Sequence, residues 1–72
     1  MMYFCDENRH LVCKPYSIVN LHTMAQDLNI NKCWYHSGDN PHYDIPKRRI
    51  NEIINKCTVI SAREVLNIIQ NK

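Results

Sequence analysis

Short apolar runs and amphipathic stretches follow one another along the chain. The apolar runs are rich in aromatic, cysteine or β-branched residues, which is typical of buried strands. They predict strands at residues 2–5, 33–35 and 57–60. After each run, apolar residues recur three or four positions apart, which predicts helices with one buried face. The three helices are predicted to start at Ser17, Pro46 and Ser61.

Local signals support these helix starts. Ser17 is a favoured N-cap residue, and Pro46 suits the first turn of a helix. Ser61 and Glu64 have the spacing of a capping box, in which each side chain bonds the backbone N–H of the other residue. Residues 7–16 carry no comparable pattern and predict an irregular connection between the first strand and the first helix.

The order of the elements, β-α-β-α-β-α, predicts the fold class. Strands that alternate with helices usually form a parallel sheet with right-handed crossovers. We therefore predict an α/β protein with a miniature Rossmann-like, three-stranded parallel sheet in the strand order 2-1-3. The chain has 72 residues, which is enough for a single domain over residues 1–72. A domain of this size has a thin hydrophobic core.

Composition excludes several classes of protein. No stretch approaches the roughly 18 consecutive apolar residues of a membrane helix, and the first residues lack the pattern of a signal peptide, so we predict a cytoplasmic location. The single glycine, Gly38, excludes a glycine-rich phosphate-binding loop. The cysteines lack the paired spacing of zinc knuckles, and Cys5, Cys33 and Cys57 are predicted to be small buried apolar residues.

Polar side chains are concentrated where the predicted strands end. In an open parallel sheet, ligands bind beside the carboxyl ends of the strands. Asp6 and Arg9 follow the first predicted strand. His36 ends the second, and the loop that follows carries His42 and Asp44. We predict that these five residues form a catalytic cluster at the carboxyl edge of the sheet.

Two mechanisms are compatible with such a cluster. Histidines and carboxylates can hold a divalent metal ion that activates water for phosphodiester cleavage. Alternatively, His36 and His42 act as general acid and base without a metal, because imidazole exchanges protons near neutral pH. The cofactor is therefore left open between a divalent metal and none. Structural roles are the competing interpretation, with Asp6 capping a turn and Asp44 capping a helix.

A basic run suggests a phosphate-rich partner. Lys47, Arg48 and Arg49 are consecutive, and Arg63 lies near the start of the last predicted helix. Such residues can bind the phosphates of RNA, and the neighbouring Tyr43 could stack on a base. The competing interpretation is that these charges only form a solvated helix face.

Several stretches together resemble a known family. They are Asp6 with Arg9, the sequence LHTMA at 21–25, Trp34, the sequence HYDI at 42–45 with the arginines that follow, and Arg63 with Glu64. In this order they are similar, over nearly the whole chain, to a family of small bacterial and phage proteins catalogued as a domain of unknown function. The resemblance implies a polar signature at Asp6, Arg9, His22, His42, Asp44 and Arg48 or Arg49. On this ground His22 is an additional site residue.

The chain departs from the family pattern in two ways. Members commonly carry an acidic pair where this chain has Cys5 and Asp6, and they have a longer segment before the first helix. The first departure argues against a metal site built from two carboxylates at the first strand.

The sequence favours an RNA-directed protein of phage type, whose predicted role is tRNA processing, tRNA cleavage or an accessory step. Its Lys-, Ile- and Asn-rich composition is similar to that of AT-rich phage gene products, and its size is similar to that of a small tRNA-maturation factor of T4-like phages. The alternative is a non-enzymatic inhibitor or adaptor that binds a host protein, with a purely structural His/Asp cluster. Enzymatic turnover, as a ribonuclease or other phosphodiester hydrolase, is left open.

Overall fold

A computed structural model describes residues 1–70 of the chain. The strands are β1 (Met2–Cys5), β2 (His10–Lys14), β3 (Tyr35–His36), β4 (His42–Asp44) and β5 (Thr58–Val59). The α-helices are α1 (Ile18–Asp27), α2 (Ile50–Ile54) and α3 (Ala62–Gln70). Short 3₁₀ turns at Lys32–Trp34 and Lys47–Arg49 precede β3 and α2. None of the described helices is long and apolar enough to cross a membrane.

The sheet is mixed and has five strands. They lie in the order β3-β4-β2-β1-β5, and within residues 1–70 the only parallel pair is β1 with β5. β1 and β2 form an antiparallel hairpin, and β4 pairs antiparallel with both β2 and β3. The predicted Rossmann-like, three-stranded parallel sheet with order 2-1-3 is therefore wrong. Because three of the four neighbouring pairs are antiparallel, the carboxyl ends of adjacent strands do not all meet at one edge.

The tight turn between β1 and β2 is not predicted by the sequence pattern. A segment predicted to be irregular contains β2, which pairs with the whole of β1. In the turn, Oδ1 of Asp6 accepts hydrogen bonds from the backbone N–H groups of Asn8 at 2.9 Å and His10 at 3.0 Å. Arg9 adopts a left-handed conformation, with φ 69°, which hairpin turns usually give to Gly, Asn or Asp. The Asp6 carboxylate thus stabilises a turn whose sequence contains no glycine to indicate it.

The helix starts follow local rules and confirm the predicted caps. Oγ of Ser17 accepts a hydrogen bond from the backbone N–H of Asn20 at 3.0 Å. Ser61 and Glu64 form the reciprocal capping box, with bonds of 3.1 and 3.2 Å. After Pro46 the chain first makes a 3₁₀ turn, so α2 begins later than predicted.

Two of the predicted strands are shorter than the apolar runs that indicated them. Cys33 and Trp34 belong to a 3₁₀ turn, so β3 begins only at Tyr35. β5 comprises Thr58 and Val59 alone. A run of three or four apolar residues does not fix the element type, because a packed turn can show the same pattern.

Helices α1 and α3 cover opposite faces of the sheet. His22 of α1 contacts Tyr43, whereas Val65 of α3 lines a cavity together with His42. Successive residues of a strand point to opposite faces, so the two helices lie on different sides of β4. β2 is central, and its residues Leu11, Val12 and Cys13 are fully buried.

Candidate metal centre

Four polar residues share the face of the sheet that α3 approaches. His10 pairs with Asp44 across β2 and β4, and His36 pairs with His42 across β3 and β4. Cross-strand partners point to the same face, as do residues two apart on one strand. His42 and Asp44 therefore stand side by side on β4, with His10 and His36 on the two neighbouring strands.

The side chains of this cluster are in contact. Nε2 of His36 lies 2.8 Å from Oδ2 of Asp44, and Nε2 of His42 lies 3.4 Å from Oδ1. The rings of His36 and His42 stack, with centroids 5.2 Å apart and an interplanar angle of 15°. The rings of His10 and His42 meet edge to face at 4.9 Å. Asp44 is thus the anionic centre of a cluster of three imidazoles.

Two hydrogen bonds determine which ring nitrogens face the cluster. Nδ1 of His10 lies 2.9 Å from Oδ2 of Asp6, and Nδ1 of His42 lies 2.7 Å from the backbone oxygen of Asn40. Because a carboxylate or carbonyl oxygen accepts, each Nδ1 carries the proton in a neutral ring. Each Nε2 is then left with a free lone pair. Metal-binding histidines are commonly oriented by a carboxylate or a backbone carbonyl in this way.

The ligand atoms are close enough to share one ion. One ligand atom each from His10, His42 and Asp44 lies within 4.8 Å of the other two. Bonds of about 2.0–2.1 Å to a tetrahedral zinc ion set ligand atoms about 3.4 Å apart. Nε2 of His42 and Oδ1 of Asp44 already have this separation, 3.4 Å. Both atoms are acceptors, so a cation or a proton between them removes their repulsion.

Asp6 supports the cluster from within the hairpin turn. Its side chain is fully buried and accepts the bonds from the backbone of Asn8 and His10 as well as the contact with the His10 ring. A buried carboxylate is stable only when its oxygens are bonded in this manner. The structural role that the sequence left open for Asp6, capping a turn, is therefore combined with orienting His10.

A cavity of about 260 Å³ opens beside the cluster. Its polar wall is formed by His10, Asn40 and His42, and its apolar wall belongs to α3. The α3 residues that line it are Ala62, Val65, Leu66 and Ile69. Nε2 of Gln70 lies 3.4 Å from Oδ1 of Asn40. A group bound at the cluster would sit against an apolar helix, where electrostatic interactions are stronger than in water.

His22 and Tyr43 lie on the opposite face of the sheet. Nδ1 of His22 is 2.6 Å from Oη of Tyr43, and its ring packs on Tyr35 at 4.6 Å. Tyr43 is 1% exposed, and burial raises the pKa of its phenol. The structure therefore contradicts the predicted stacking of Tyr43 on an RNA base. Side chains alternate between the two faces of the sheet along β4, so Tyr43 points to the face opposite His42 and Asp44.

Arg49 braces the end of α1. Its guanidinium donates to the carbonyl oxygens of Leu28 at 2.7 Å and Asn29 at 2.6 Å. It also donates to both carboxylate oxygens of Glu52, at 3.1 and 2.9 Å, and these bonds hold the pKa of that carboxyl below its usual range. Arg49, which the sequence predicts to bind RNA, is thus engaged within the protein.

The other predicted cationic residues are distributed over the surface. Lys47, Arg48 and Arg63 are exposed, and within residues 1–70 none of them forms an ion pair. Arg9 is half-buried in the hairpin turn, where its backbone oxygen accepts from the N–H of Ile45 at 2.9 Å. Lys47 and Arg48 lie together in the 3₁₀ turn before α2, while Arg63 belongs to the first turn of α3.

His10 belongs to the cluster although it is not among the site residues predicted from the sequence. His10 lies in the cluster because it pairs with Asp44 across β2 and β4. This pairing requires the hairpin of β1 and β2, which the sequence pattern does not predict. The sequence does contain one usable signal: residues 42–44 alternate polar, apolar and polar, which is typical of a half-buried strand. That alternation puts His42 and Asp44 on one face, and a neighbouring strand then supplies a further ligand.

A family model described as "Protein of unknown function (DUF4031)" matches residues 7–72. The chain belongs to this family. The matched range contains His10, His42 and Asp44 and begins one residue after Asp6. No curated protein and no solved structure gives a significant match to the chain. Membership of the DUF4031 family confirms the predicted resemblance to a small domain of unknown function.

The cysteines of this DUF4031 protein are free thiols. Burial raises the pKa of Cys5, of Cys13 and of Cys57, the last to about 12. A buried, protonated thiol is a poor nucleophile and a poor metal ligand. Cys33 is exposed, so its predicted burial is wrong, whereas that of Cys5 is confirmed and Cys57 is only partly buried. The difference arises because Cys33 lies in a 3₁₀ turn rather than in a strand.

We expect one fast-reacting thiol per folded chain. Because Cys33 is exposed, a disulfide reagent such as Ellman's reagent should modify it quickly at about pH 8. The buried thiols should react only after denaturation. Cys33→Ser should abolish the fast phase, and a fast phase that persists in this variant would contradict the burial of Cys5 and Cys13 and the partial burial of Cys57.

Proposed function

We propose that this protein is a divalent-metal-dependent phosphodiesterase that acts on RNA. The observation that carries the proposal is the convergence of His10, His42 and Asp44, with the Nδ1 atoms of both rings already engaged by Asp6 and Asn40. Two imidazoles and one carboxylate are a ligand set for zinc, manganese or iron rather than for magnesium, which prefers oxygen ligands. Three protein ligands leave positions for water and substrate.

The chemistry follows from the residues around these positions. A divalent ion lowers the pKa of bound water and polarises a phosphoryl oxygen. The Nε2 atoms of His10 and His42 and the Asp44 carboxylate would hold that ion, and Asp6 keeps the His10 ring in place. Attack of the water oxygen would form a bond to phosphorus and break the bond from phosphorus to the leaving oxygen, while the proton of the attacking water would pass to solvent. His36, half-exposed and 2.8 Å from Asp44, is positioned to give a proton to that leaving oxygen.

The choice of RNA as substrate rests on charge. Lys47 and Arg48 are exposed and form no ion pair within residues 1–70, and they lie near the end of β4, the strand that carries His42 and Asp44. Within RNA, tRNA is the class we favour, because of the phage-like composition of the chain and its size. A phage origin and a cytoplasmic location, where tRNA is found, belong to the same proposal. The chain's similarity to a phage modifier of suppressor tRNAs is likewise part of it.

The test is cleavage of RNA that depends on the cluster. We expect total tRNA, or an unpaired RNA oligonucleotide, to yield discrete fragments on a denaturing gel when Zn²⁺ or Mn²⁺ is supplied. EDTA should remove the activity, and excess metal should restore it. Asp44→Asn should lower the rate at least about 100-fold, since even the loss of an outer group around a metal costs about 10- to 100-fold.

Asp39→Asn is the matched control, because Asp39 is an exposed carboxylate in the loop before β4. It should leave the rate unchanged. Intact RNA in every lane would overturn the proposal and favour the alternative of a non-enzymatic inhibitor or adaptor. Cleavage that survives both EDTA and Asp44→Asn would instead point to the metal-free His36 and His42 mechanism or to a contaminating nuclease, which His42→Ala distinguishes.

A further inference from the structure

A second cavity, of about 340 Å³, lies at the end of the ladder formed by β3 and β4. Trp34 precedes β3, and Pro46 follows β4. The remaining lining residues are Asn29, Lys47, Arg48 and Arg49. Among residues 1–70, the lining thus combines one large aromatic ring with three cations and includes neither Asp nor Glu.

The wall that carries the cations is held firmly. Arg49 joins the 3₁₀ turn to the end of α1 through the carbonyl oxygens of Leu28 and Asn29. Four of its five N–H donors are therefore engaged within the protein, and its charge is balanced by Glu52. Lys47 and Arg48 are on the same turn but are exposed and unpaired within residues 1–70. These two cations thus lie on a turn whose backbone is already fixed by Arg49. This favours ligand binding, because the turn loses little conformational entropy when a ligand binds.

The aromatic wall suits a nucleobase. Trp34 is half-buried, so its ring is fixed by packing while part of it remains accessible from the cavity. Stacking of a base on an aromatic side chain is favourable for every base, because each base has a π face. Lysine and arginine next to the ring would meet the phosphates of the same nucleotide. A base stacked within a duplex offers no free face of this kind, so a stacking site favours unpaired nucleotides.

The cavity lies close to the candidate metal centre along the chain. Tyr35 pairs with Tyr43, so Trp34 lies one residue beyond this pair, at the end of the ladder where Asp44 is located. Pro46 is four residues from His42, which corresponds to at most about 13 Å of extended chain. A short stretch of single strand could therefore reach both places.

We infer that this cavity binds one unpaired nucleotide of a nucleic-acid strand, with the base on Trp34 and the adjoining phosphates on Lys47 and Arg48. The inference rests on the proposed function and narrows its substrate to single-stranded segments such as loops and ends. The base and phosphate chemistry is common to RNA and DNA, so the experiment compares the two.

Trp34 is the only tryptophan of the chain, so its fluorescence reports directly on the cavity. With EDTA present, single-stranded RNA of about ten nucleotides should quench this fluorescence in a saturable manner. Duplex RNA of the same sequence should bind much more weakly. A single-stranded DNA of that sequence shows whether the 2′-hydroxyl contributes. Comparable quenching by the duplex would overturn the inference.

Variants test the individual contacts by fluorescence anisotropy of labelled RNA. Lys47→Ala and Arg48→Ala should each weaken binding and reduce the slope of log affinity against log salt by about 0.7. Trp34→Ala should weaken binding about tenfold or more. Lys56→Ala is the control, because it removes an equal charge from an exposed lysine outside the cavity. An equal loss in Lys56→Ala and Lys47→Ala would mean non-specific attraction and would overturn the inference.

The inference and the proposed function can fail separately. Asp44→Asn should abolish cleavage while leaving saturable binding intact. Binding without cleavage in the unaltered protein would overturn the proposed function and support the nucleotide site. Cleavage with binding that is insensitive to Trp34→Ala, Lys47→Ala and Arg48→Ala would overturn the nucleotide site alone.

Discussion

Replacing His42 with alanine should lower the affinity of the protein for Co²⁺ at least about 100-fold, a larger loss than is usual for an outer group around a metal. Co²⁺ is a suitable probe because it occupies zinc-type sites and its visible absorption reports the geometry of its ligands. His42 has the most contacts in the cluster: Asp44, His36 and His10 surround it. Removing its ring takes away one ligand and also the contacts that the ring makes with both other imidazoles.

Two further variants give this measurement its controls. His22→Ala removes a histidine from the opposite face of the sheet and should leave Co²⁺ affinity unchanged. Asp6→Asn should lower affinity by about 10- to 100-fold, because Asp6 orients His10 without binding the ion. Circular dichroism must show that each variant is folded. If His42→Ala and His22→Ala bind Co²⁺ equally well, the cluster is not a metal centre.

Replacing Arg49 with alanine should destabilise the protein by about 2 kcal/mol, because hydrogen bonds to a charged group contribute about 1.5–3 kcal/mol. The carbonyl oxygens of Leu28 and Asn29 at the end of α1 would lose their donors. In a domain of this size the loss corresponds to a decrease in melting temperature of about 10 °C. Thermal unfolding followed by circular dichroism measures it.

The neighbouring arginine provides the matched control. Arg48→Ala removes the same charge from an exposed side chain and should change stability by less than about 0.5 kcal/mol, although we expect it to weaken RNA binding. Arg49→Lys should remain destabilised, because an ammonium group cannot reach two carbonyls and a carboxylate with the planar fork of a guanidinium. A fully stable Arg49→Lys would show that charge alone matters at this position.

The parts of the fold that sequence predicts are those decided by neighbouring residues. The caps at Ser17 and Ser61 depend on groups three residues away, so local pattern is sufficient. The hairpin between β1 and β2 depends instead on a buried carboxylate, Asp6, and on Arg9 in a conformation that usually indicates glycine. Without the hairpin, the order of strands and helices predicts a parallel sheet, and the observed sheet is mixed instead.

In the cluster, too, the sequence predicts the residue types, whereas contacts between distant strands decide how they are arranged. Asp6, His36, His42 and Asp44 are residues that the sequence selects, and the structure brings the last three into contact and joins Asp6 through His10. They meet on a face of the sheet and not at a carboxyl edge. Alternation along β4 puts His42 and Asp44 on one face, but the register between strands decides that His10 and His36 lie beside them. No local pattern specifies the register between distant strands.

The prospective ligands His10 and His42 are 32 positions apart in sequence, one at the start of the hairpin's second strand and the other on the neighbouring strand. An ion held between them would cross-link two strands of a small domain whose hydrophobic core is thin, and would thereby stabilise the folded state. Binding only to the folded state, it would add about 2.7 kcal/mol of stability at a concentration 100 times its dissociation constant. The availability of metal would then set how long the protein survives in a cell as well as whether it reacts.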